Sequence, residues 1–180
     1  MGFGRENIRE VIAEKARDFL LMKNPEEITM LMVADQLNIT AVTLYQYFEG
    51  KEEIIRAGYD LILKEIAECI DIKLPSSVNC YCKLKIVLKN LADYFYRKGV
   101  DPTWLIEDPP RLPITLKPIR NTIAGLLKSW HNCDDDKAIW ESCRYLSLVQ
   151  AEIIYYKRSG KPLPDNIIEN IFKLLHKNYK

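Results

Sequence analysis

The 180-residue sequence lacks the short motifs that mark common enzyme active sites. It contains no G-x-S-x-G turn, no H-E-x-x-H zinc motif and no glycine-rich phosphate loop. Only two histidines are present, His131 and His176, and nothing in the sequence places a nucleophile beside either of them. We therefore expect neither catalytic activity nor a cofactor.

Membrane and export signals are also missing. No apolar run reaches the ~18–20 residues that span a bilayer, and the polar residues 1–9 are followed by no apolar signal segment. The five cysteines are an odd number, which predicts free thiols in an intracellular chain. The sequence therefore predicts a cytoplasmic protein with no membrane partner.

A metal site is the remaining chemistry that the cysteines suggest. Cys80 and Cys82 are two residues apart, so their side chains would face different ways on a helix. His131, Cys133 and the acidic run 134–136 add potential ligands, but the spacing fits no zinc pattern. Free thiols and a helix cap explain these residues better, and we expect no metal.

The residues that are abundant favour helices throughout. Glycine is scarce, whereas isoleucine, leucine, lysine and glutamate are frequent. Apolar residues recur at helical spacing between breaks that contain proline or glycine. This pattern predicts an all-α protein of about nine helices, the last of which runs from Asp165 to Tyr179 and is apolar over much of its circumference.

Residues 29–53 carry the most specific pattern of the chain. Thr29 and Thr40 are good N-cap residues, because a threonine hydroxyl can accept from the unpaired N–H groups of a first helical turn. Asn38 lies where the first short helix must stop, and asparagine tolerates the left-handed backbone of a sharp helix end. The stretch therefore predicts two short helices with a tight turn between them.

The second of these helices is expected to run from Ala41 to about Phe48. Leu44 precedes Phe48 by four residues, so both side chains can point inward together. Two short helices joined by a turn of three or four residues form a helix-turn-helix unit, and its second helix can enter the DNA major groove.

The string T-L-Y-x-Y-F-x-x-K-E, residues 43–52, resembles the signature of the tetracycline-repressor (TetR) family of transcriptional regulators. The preceding V-A-D-Q-L-N-I-T, residues 33–40, is similar to the family's usual I-A-x-x-A-G-V-S. The resemblance covers roughly residues 7–60 and is architectural beyond them. It implies a three-helix DNA-binding domain, residues 1–58, and a helical effector-binding and dimerisation domain, residues 59–180.

The chain departs from the family pattern at three places. Val42 stands where a small residue is usual, and Asn38 stands where the turn usually has glycine. Residues 30–32 are Met-Leu-Met, where many members carry polar or basic side chains that touch phosphate. These departures concern the manner of DNA contact and leave the expected fold unchanged.

The resemblance assigns DNA contact to the second short helix and the residues after it. Thr43 and Gln46 can hydrogen-bond to bases, and Val42 can touch a thymine methyl group. Tyr47 and Lys51 match family positions that hold phosphate. The predicted DNA surface comprises Thr40, Ala41, Val42, Thr43, Tyr45, Gln46, Tyr47 and Lys51.

The charge of the expected DNA-binding part restricts how it can bind. Residues 1–59 hold seven Lys/Arg and ten Asp/Glu, a formal charge of −3. Non-specific binding to phosphate needs many cations, so we expect a site-specific reader. A helical ligand-binding or scaffold protein whose helix-turn-helix no longer binds DNA is the alternative. The candidate phosphate-binding cations are Arg5, Arg9, Lys23, Lys51 and Arg56.

The second half of the chain is rich in tyrosine and tryptophan, whose polar tips need partners when buried. A mostly apolar cavity with few polar groups is the usual small-molecule site, and the resemblance implies one in this region. It also implies a repressor that binds a palindromic operator as a homodimer through its last two helices and is released by a small hydrophobic effector. The expected ligand-binding residues are Tyr94, Trp104, Trp130 and Tyr145.

Overall fold

The computed structural model describes residues 5–71, 73–106 and 116–176. Within these ranges the chain forms eight α-helices and two 3₁₀ turns and no β-strand, which confirms the predicted all-α class with about nine helices. None of these helices combines the length and apolarity that crossing a bilayer requires. The helices are α1 (Arg5–Leu20), α2 (Met30–Gln36), α3 (Ala41–Tyr45), α4 (Lys51–Ile70), α5 (Cys80–Lys98), α6 (Lys117–His131), α7 (Asp135–Ser159) and α8 (Ile167–His176). The 3₁₀ turns are Pro25–Glu27 and Pro102–Leu105.

The described residues divide into two compact units. The N-terminal unit ends at Glu65 and the C-terminal unit begins at Ile66, so the division falls inside α4. Helix α4 is uninterrupted from Lys51 to Ile70, and its residues therefore belong to both units. The functional boundary expected after residue 58 stays a prediction.

The N-terminal unit is a small bundle in which α1 and α4 support the two short helices between them. Each helix buries one apolar face, as the spacing of its apolar residues predicts. Arg17 on α1 reinforces this packing, because its Nη1 lies 2.7 Å from Oε1 of Glu65 on α4. The core includes Ile12, Ala16, Ile28, Val33, Ala34, Leu44, Phe48, Ile54, Tyr59 and Ile62.

Gly58 allows α4 to pass very close to α1. A Cβ atom at this position would lie 2.8 Å from Cδ1 of Leu20, 2.9 Å from the backbone N of Arg17 and 3.0 Å from the backbone C of Ala16. Two of these three atoms belong to the α1 backbone, which cannot rotate away as a side chain can. The crossing of α1 and α4 therefore requires a residue without a side chain.

The C-terminal unit is a four-helix arrangement around α7, which contacts α5, α6, α8 and the second 3₁₀ turn. Helix α7 is capped at its start by Asp134, whose side chain accepts from the N–H of Lys137. It ends at Gly160, which adopts the left-handed conformation (φ 66°) that favours glycine. Its length comes from these two end signals and from an uninterrupted buried stripe that includes Tyr145, Val149 and Ile153.

The last helix differs from its prediction in length and in exposure. Helix α8 spans Ile167–His176, so it begins two residues after the expected Asp165, while residues 177–180 lie outside the described chain. Its apolar side chains are mostly covered by its own protomer, and Leu174 is the large apolar residue of α8 that stays exposed. The five buried ones are Ile167, Ile168, Ile171, Phe172 and Leu175.

We predict that Gly58→Ala destabilises the protein, whereas Gly125→Ala does not. Forcing a methyl group against the α1 backbone should cost about 1–3 kcal/mol, as overpacking does in other cores. Gly125 lies in α6 with no atom within 4 Å of an added Cβ, so alanine there should stabilise the helix by about 0.5–1 kcal/mol. Urea unfolding followed by circular dichroism measures both changes. Equal stability of Gly58→Ala and the parent chain would show that α1 and α4 are not held at this distance.

Candidate nucleic-acid interface

The two short helices and the turn between them have the predicted geometry. The Thr29 hydroxyl accepts from the N–H of Met32 at 3.2 Å, and the Thr40 hydroxyl accepts from the N–H of Thr43 at 3.1 Å. Both residues therefore cap the helices that they precede, α2 and α3. Each cap satisfies an N–H group that no carbonyl within the helix can reach.

The turn between α2 and α3 is a Schellman motif centred on Asn38. Asn38 has φ 53°, the left-handed conformation expected for it. Its N–H donates to the carbonyl of Asp35 at 3.1 Å, and the N–H of Ile39 donates to the carbonyl of Ala34 at 3.1 Å. These two bonds satisfy carbonyl groups at the end of α2 and fix the direction in which the chain leaves it.

Helix α3 is shorter than predicted, because it ends at Tyr45 and not near Phe48. The N–H groups of Gln46 and Tyr47 bond to carbonyls three residues earlier, at 3.2 and 3.0 Å, which tightens the backbone beyond α3. The chain then turns so that Phe48 is buried, with 1% of its surface exposed, before α4 begins. Gln46 and Tyr47 consequently lie in a tight turn that continues the path of α3.

Burial of Leu44 and Phe48 leaves the opposite side of α3 open to solvent. Leu44 is 0% exposed, whereas Val42 is 70% and Tyr45 is 58% exposed. The structure therefore brings the predicted DNA residues of α3 together beside one another and keeps them accessible. Of the predicted set, Thr40, Val42, Tyr45 and Gln46 are exposed, and Ala41, Thr43, Tyr47 and Lys51 are half-buried.

Lys51 is already engaged within the N-terminal unit. Its ammonium group donates to the carbonyl of Glu26 at 2.8 Å and thereby joins the start of α4 to the 3₁₀ turn that precedes α2. An ammonium group has three donors, so this bond leaves donors for a phosphate. Lys51 thus has a structural contact in addition to the phosphate contact predicted for it.

Arg9 braces the turn that follows α3. Its guanidinium group donates to the backbone carbonyl of Tyr47 and to the carboxylate of Glu53, and it lies 4.3 Å from the centre of the Phe48 ring. Glu53 also accepts from the N–H of Glu49 at 2.7 Å. That N–H and the Arg9 guanidinium hold the pKa of the Glu53 carboxyl below its ordinary value.

The sequence indicated Arg9 only as a phosphate-binding cation and gave no role to Glu53. The spacing of Glu53 after the start of α4 is a signal that could have indicated a cap, because a glutamate in the first helical turn often reaches back to a preceding N–H. No comparable local signal exists for Arg9, since its partners lie 38 and 44 residues further along the chain.

The surroundings of α3 carry few free positive charges. Residues 40–47 contain no charged side chain. A shallow recess beyond them is lined by Glu49, Glu52 and Glu53 together with Arg56. With Arg9 paired to Glu53, the local field is set by carboxylates and opposes tight binding to phosphate at random positions.

The expected ligand-binding residues do not form one site. Trp130 and Tyr145 both contact Phe172, with ring centroids 5.8 and 5.0 Å from it. Tyr94 instead packs against Phe95 of its own helix at 5.8 Å, and Trp104 is buried in the second 3₁₀ turn. The structure thus brings Trp130 and Tyr145 into one aromatic cluster and places Tyr94 and Trp104 in other surroundings.

Comparison with known proteins supports the helix-turn-helix assignment. The family model of bacterial regulatory proteins of the tetR family matches residues 12–58. No curated protein sequence matches the chain.

Solved structures of TetR-family regulators share the fold of almost the whole chain. A tetR-family transcriptional regulator from Streptomyces coelicolor aligns with a TM-score of 0.70 at 17% identity, covering 98% of this chain and 80% of that one. A TetR transcriptional regulator from Legionella pneumophila aligns with a TM-score of 0.70 at 17% identity, covering 98% of each chain. The chain therefore has the N-terminal domain and the fold of the TetR family of transcriptional regulators.

Proposed function

We propose that this regulator is a repressor that binds a palindromic DNA operator as a homodimer and is released by a small hydrophobic effector. The observation that carries the DNA-reading part is the exposed, uncharged side of α3, held outward by the burial of Leu44 and Phe48. An α-helix fits the major groove, and its first-turn side chains reach base edges there.

The chemistry of this surface suits contact with bases more than contact with phosphate. The Gln46 amide can bond to both adenine groups in the major groove, and the Val42 side chain can pack on a thymine methyl group. Tyr45, Tyr47 and Lys51 stand at the edge of this surface, where a hydroxyl or ammonium group can reach the backbone. Base contacts would therefore provide the specificity, and a few backbone contacts would set the register.

The acidic recess strengthens this preference. The carboxylates of Glu49 and Glu52 repel phosphates that approach in a wrong register. Such repulsion lowers affinity for all DNA, so binding depends more strongly on the base contacts that only the operator supplies. The expected outcome is a modest non-specific affinity with a clear preference for the operator.

The alternative is a helical protein that has lost DNA binding. Two observations favour it, namely the acidic recess and the 62% exposure of Leu31 on α2, where a polar residue would suit a phosphate contact better. Measurement of DNA binding separates the two functions directly.

The DNA surface predicts different effects for two of its residues. Gln46→Ala should weaken operator binding by about 1–3 kcal/mol and relax the preference at one base pair. Lys51→Ala should weaken binding to all sequences alike and reduce the salt dependence. Fluorescence anisotropy with DNA from upstream of the chain's own gene measures both effects, and thermal unfolding verifies that each variant is folded.

Lys64→Ala is the matched control for the lost charge. Lys64 is exposed on α4, thirteen residues beyond Lys51 and therefore about 20 Å along the helix. The control should bind like the parent chain. Unchanged operator affinity in both Gln46→Ala and Lys51→Ala would show that DNA contacts another surface.

The proposed homodimer rests on the outer face of α7 and on α8. Opposite its buried stripe, α7 exposes Trp140, Ser147, Ala151 and Tyr155, which recur at intervals of seven and four residues. The small side chains of Ser147 and Ala151 would let two such helices approach closely. Because α8 buries most of its apolar residues within its own protomer, α7 would supply the larger part of the interface.

Light scattering at micromolar concentration should give twice the mass of one chain. Ala151→Arg should shift the protein toward the monomer, because it places a charge at the centre of the proposed contact. Ala67→Arg, at an exposed position on α4, is the matched control and should leave the mass unchanged. A parent chain that scatters as a monomer would contradict the dimer.

Release by an effector would act through α4. Ile66 is fully buried in the C-terminal unit, and the carbonyl of Cys69 accepts from the side chain of Asn90 on α5 at 3.2 Å. A ligand that displaces this end of the helix would displace its beginning as well, because α4 has no break. Half-sites on one face of DNA lie about 34–36 Å apart or a multiple of that. The two N-terminal units of a dimer could not both bind without strain if their separation differed from this.

Linkage predicts the size of the effect. If DNA binding and effector binding are coupled by about 1–3 kcal/mol, saturating effector should weaken operator binding roughly 5–150-fold. The effector must then bind the free dimer more tightly than the DNA-bound dimer by the same factor. Operator affinity measured with and without a compound that binds the C-terminal unit tests this, and equal affinities would exclude release by that compound.

A further inference from the structure

A cavity of about 220 Å³ opens in the C-terminal unit where the end of α6, the first turns of α7 and the end of α8 meet. Its apolar surface comes from Leu175, from the ring of Tyr145 and from the imidazole of His176. Leu175 and Tyr145 are both buried, and the Tyr145 hydroxyl lies 3.0 Å from Nε2 of His176. Part of the cavity wall is therefore buried and largely aromatic.

The cavity is also lined by charged groups from successive turns of α7. Lys137, Glu141 and Arg144 follow one another at intervals of four and three residues, so they share one face of the helix. Glu141 is 6% exposed, and both of its carboxylate oxygens accept from Nη1 of Arg144, at 3.0 and 3.1 Å. The guanidinium group also lies 4.7 Å from the centre of the Trp140 ring. The negative charge of Glu141 is thus held and compensated by Arg144.

Lys137 supplies the charge that remains uncompensated. Among the described residues, its ammonium group has no ion pair and no hydrogen bond, although its side chain lines the cavity. Arg144 also keeps donors that Glu141 does not use, because a guanidinium group has five N–H bonds. The cavity therefore offers spare donors and one unpaired positive charge.

His131 completes the rim of the cavity and adds a second polar ring. His131 is exposed, but partial burial of its ring lowers its pKa below the ordinary value. The charge of Glu141 opposes this shift, and His176 and Lys137 add to it. A neutral imidazole can donate or accept one hydrogen bond without adding charge to the site.

We infer that this cavity binds a small monocarboxylate with a ring-sized apolar body. The carboxylate would pair with Lys137 at the rim, and the apolar body would lie against Tyr145 and Leu175. The volume supports this size, because an engineered apolar cavity of about 150 Å³ holds one benzene ring. Pockets for drug-sized ligands measure about 300–1,000 Å³, so this cavity suits a smaller molecule.

Other ligand charges suit the cavity less well. A cation would be repelled by Lys137, and the carboxylate of Glu141 that might attract it is already paired with Arg144. A neutral ligand would gain no ion pair with Lys137, whose side chain is exposed at the rim of the cavity. The inference rests on the proposed function only for the role of this cavity as the effector site.

The predicted negative charge of the ligand is tested with three probes that share one ring and differ in charge. Isothermal titration of the full-length, DNA-free protein with benzoate, benzamide and benzylamine should show binding of benzoate, with the neutral and cationic probes at least tenfold weaker. Equal binding of all three, or no binding of benzoate, would overturn the inference.

The residue assignment is tested with Lys137 variants. Loss of a hydrogen bond to a charged group corresponds to about a tenfold change in affinity or more, so Lys137→Ala should raise the Kd for benzoate by at least about tenfold. Lys137→Arg keeps the charge and should retain most of the affinity. Arg158→Ala removes a charge from the exposed last turn of the same helix and should have no effect. A Lys137→Ala protein that binds benzoate as tightly as the parent would exclude this cavity.

A second titration separates the site from its role. Benzoate is added to the complex of the protein with its upstream DNA, and operator affinity is measured. Weaker operator binding in the parent chain but not in Lys137→Ala supports both the site and its role as the effector site. Binding of benzoate to the free protein with unchanged operator affinity supports the site and overturns its role in release.

Discussion

Burial of Leu44 and Phe48 is the interaction on which the proposed DNA-reading surface depends. A helix of five residues is not stable by itself in water, because the nucleation of its first turn is not repaid by enough further bonds. Helix α3 is therefore held by its surroundings, namely the Thr40 cap before it, the core beneath it and the Arg9 brace after it. Its exposed side can consequently carry residues chosen for contact and not for stability.

The same arrangement shows how the N-terminal unit can be acidic and still read DNA as proposed. Arg9 is used to hold the turn after α3, and Lys51 holds the turn before α2, so two of the candidate cations also serve the architecture. Glu53 also stabilises this region, because its carboxylate accepts from Arg9 and from the N–H of Glu49. The formal charge of −3 over residues 1–59 thus partly reflects the contacts that position α3.

Features that depend on neighbours in sequence were predictable, and features that depend on distant contacts were not. The caps at Thr29 and Thr40 and the left-handed Asn38 follow from local backbone chemistry, and all three are confirmed. Two features form only when α1 contacts residues 38 or more positions away, namely the hydrogen bonds of Arg9 and the close helix crossing at Gly58. No local sequence pattern predicts either of them.

The C-terminal unit shows the same limit more strongly. The aromatic content indicated an apolar interior but not which residues meet in it. Trp130 and Tyr145 lie in one cluster, whereas Tyr94 and Trp104 do not. The hydrophobicity of the last helix suggested an apolar surface available to a second copy of the chain. Five of its apolar residues instead lie in the core of their own protomer. The cavity beside Lys137 is formed where parts of three helices meet, so the sequence pattern did not predict it.

The central claim is that the uncharged side of α3 reads a sequence with few phosphate contacts. Its most direct test is the salt dependence of binding to the upstream DNA and to a scrambled duplex of the same length. If two cations of each N-terminal unit, such as Lys23 and Lys51, contact phosphate, a dimer should give a slope of log K against log salt of about −4. It should also prefer its own site by about a thousandfold or more. Equal affinity for both duplexes with a slope near about −10 would indicate a phosphate-driven binder and contradict the claim.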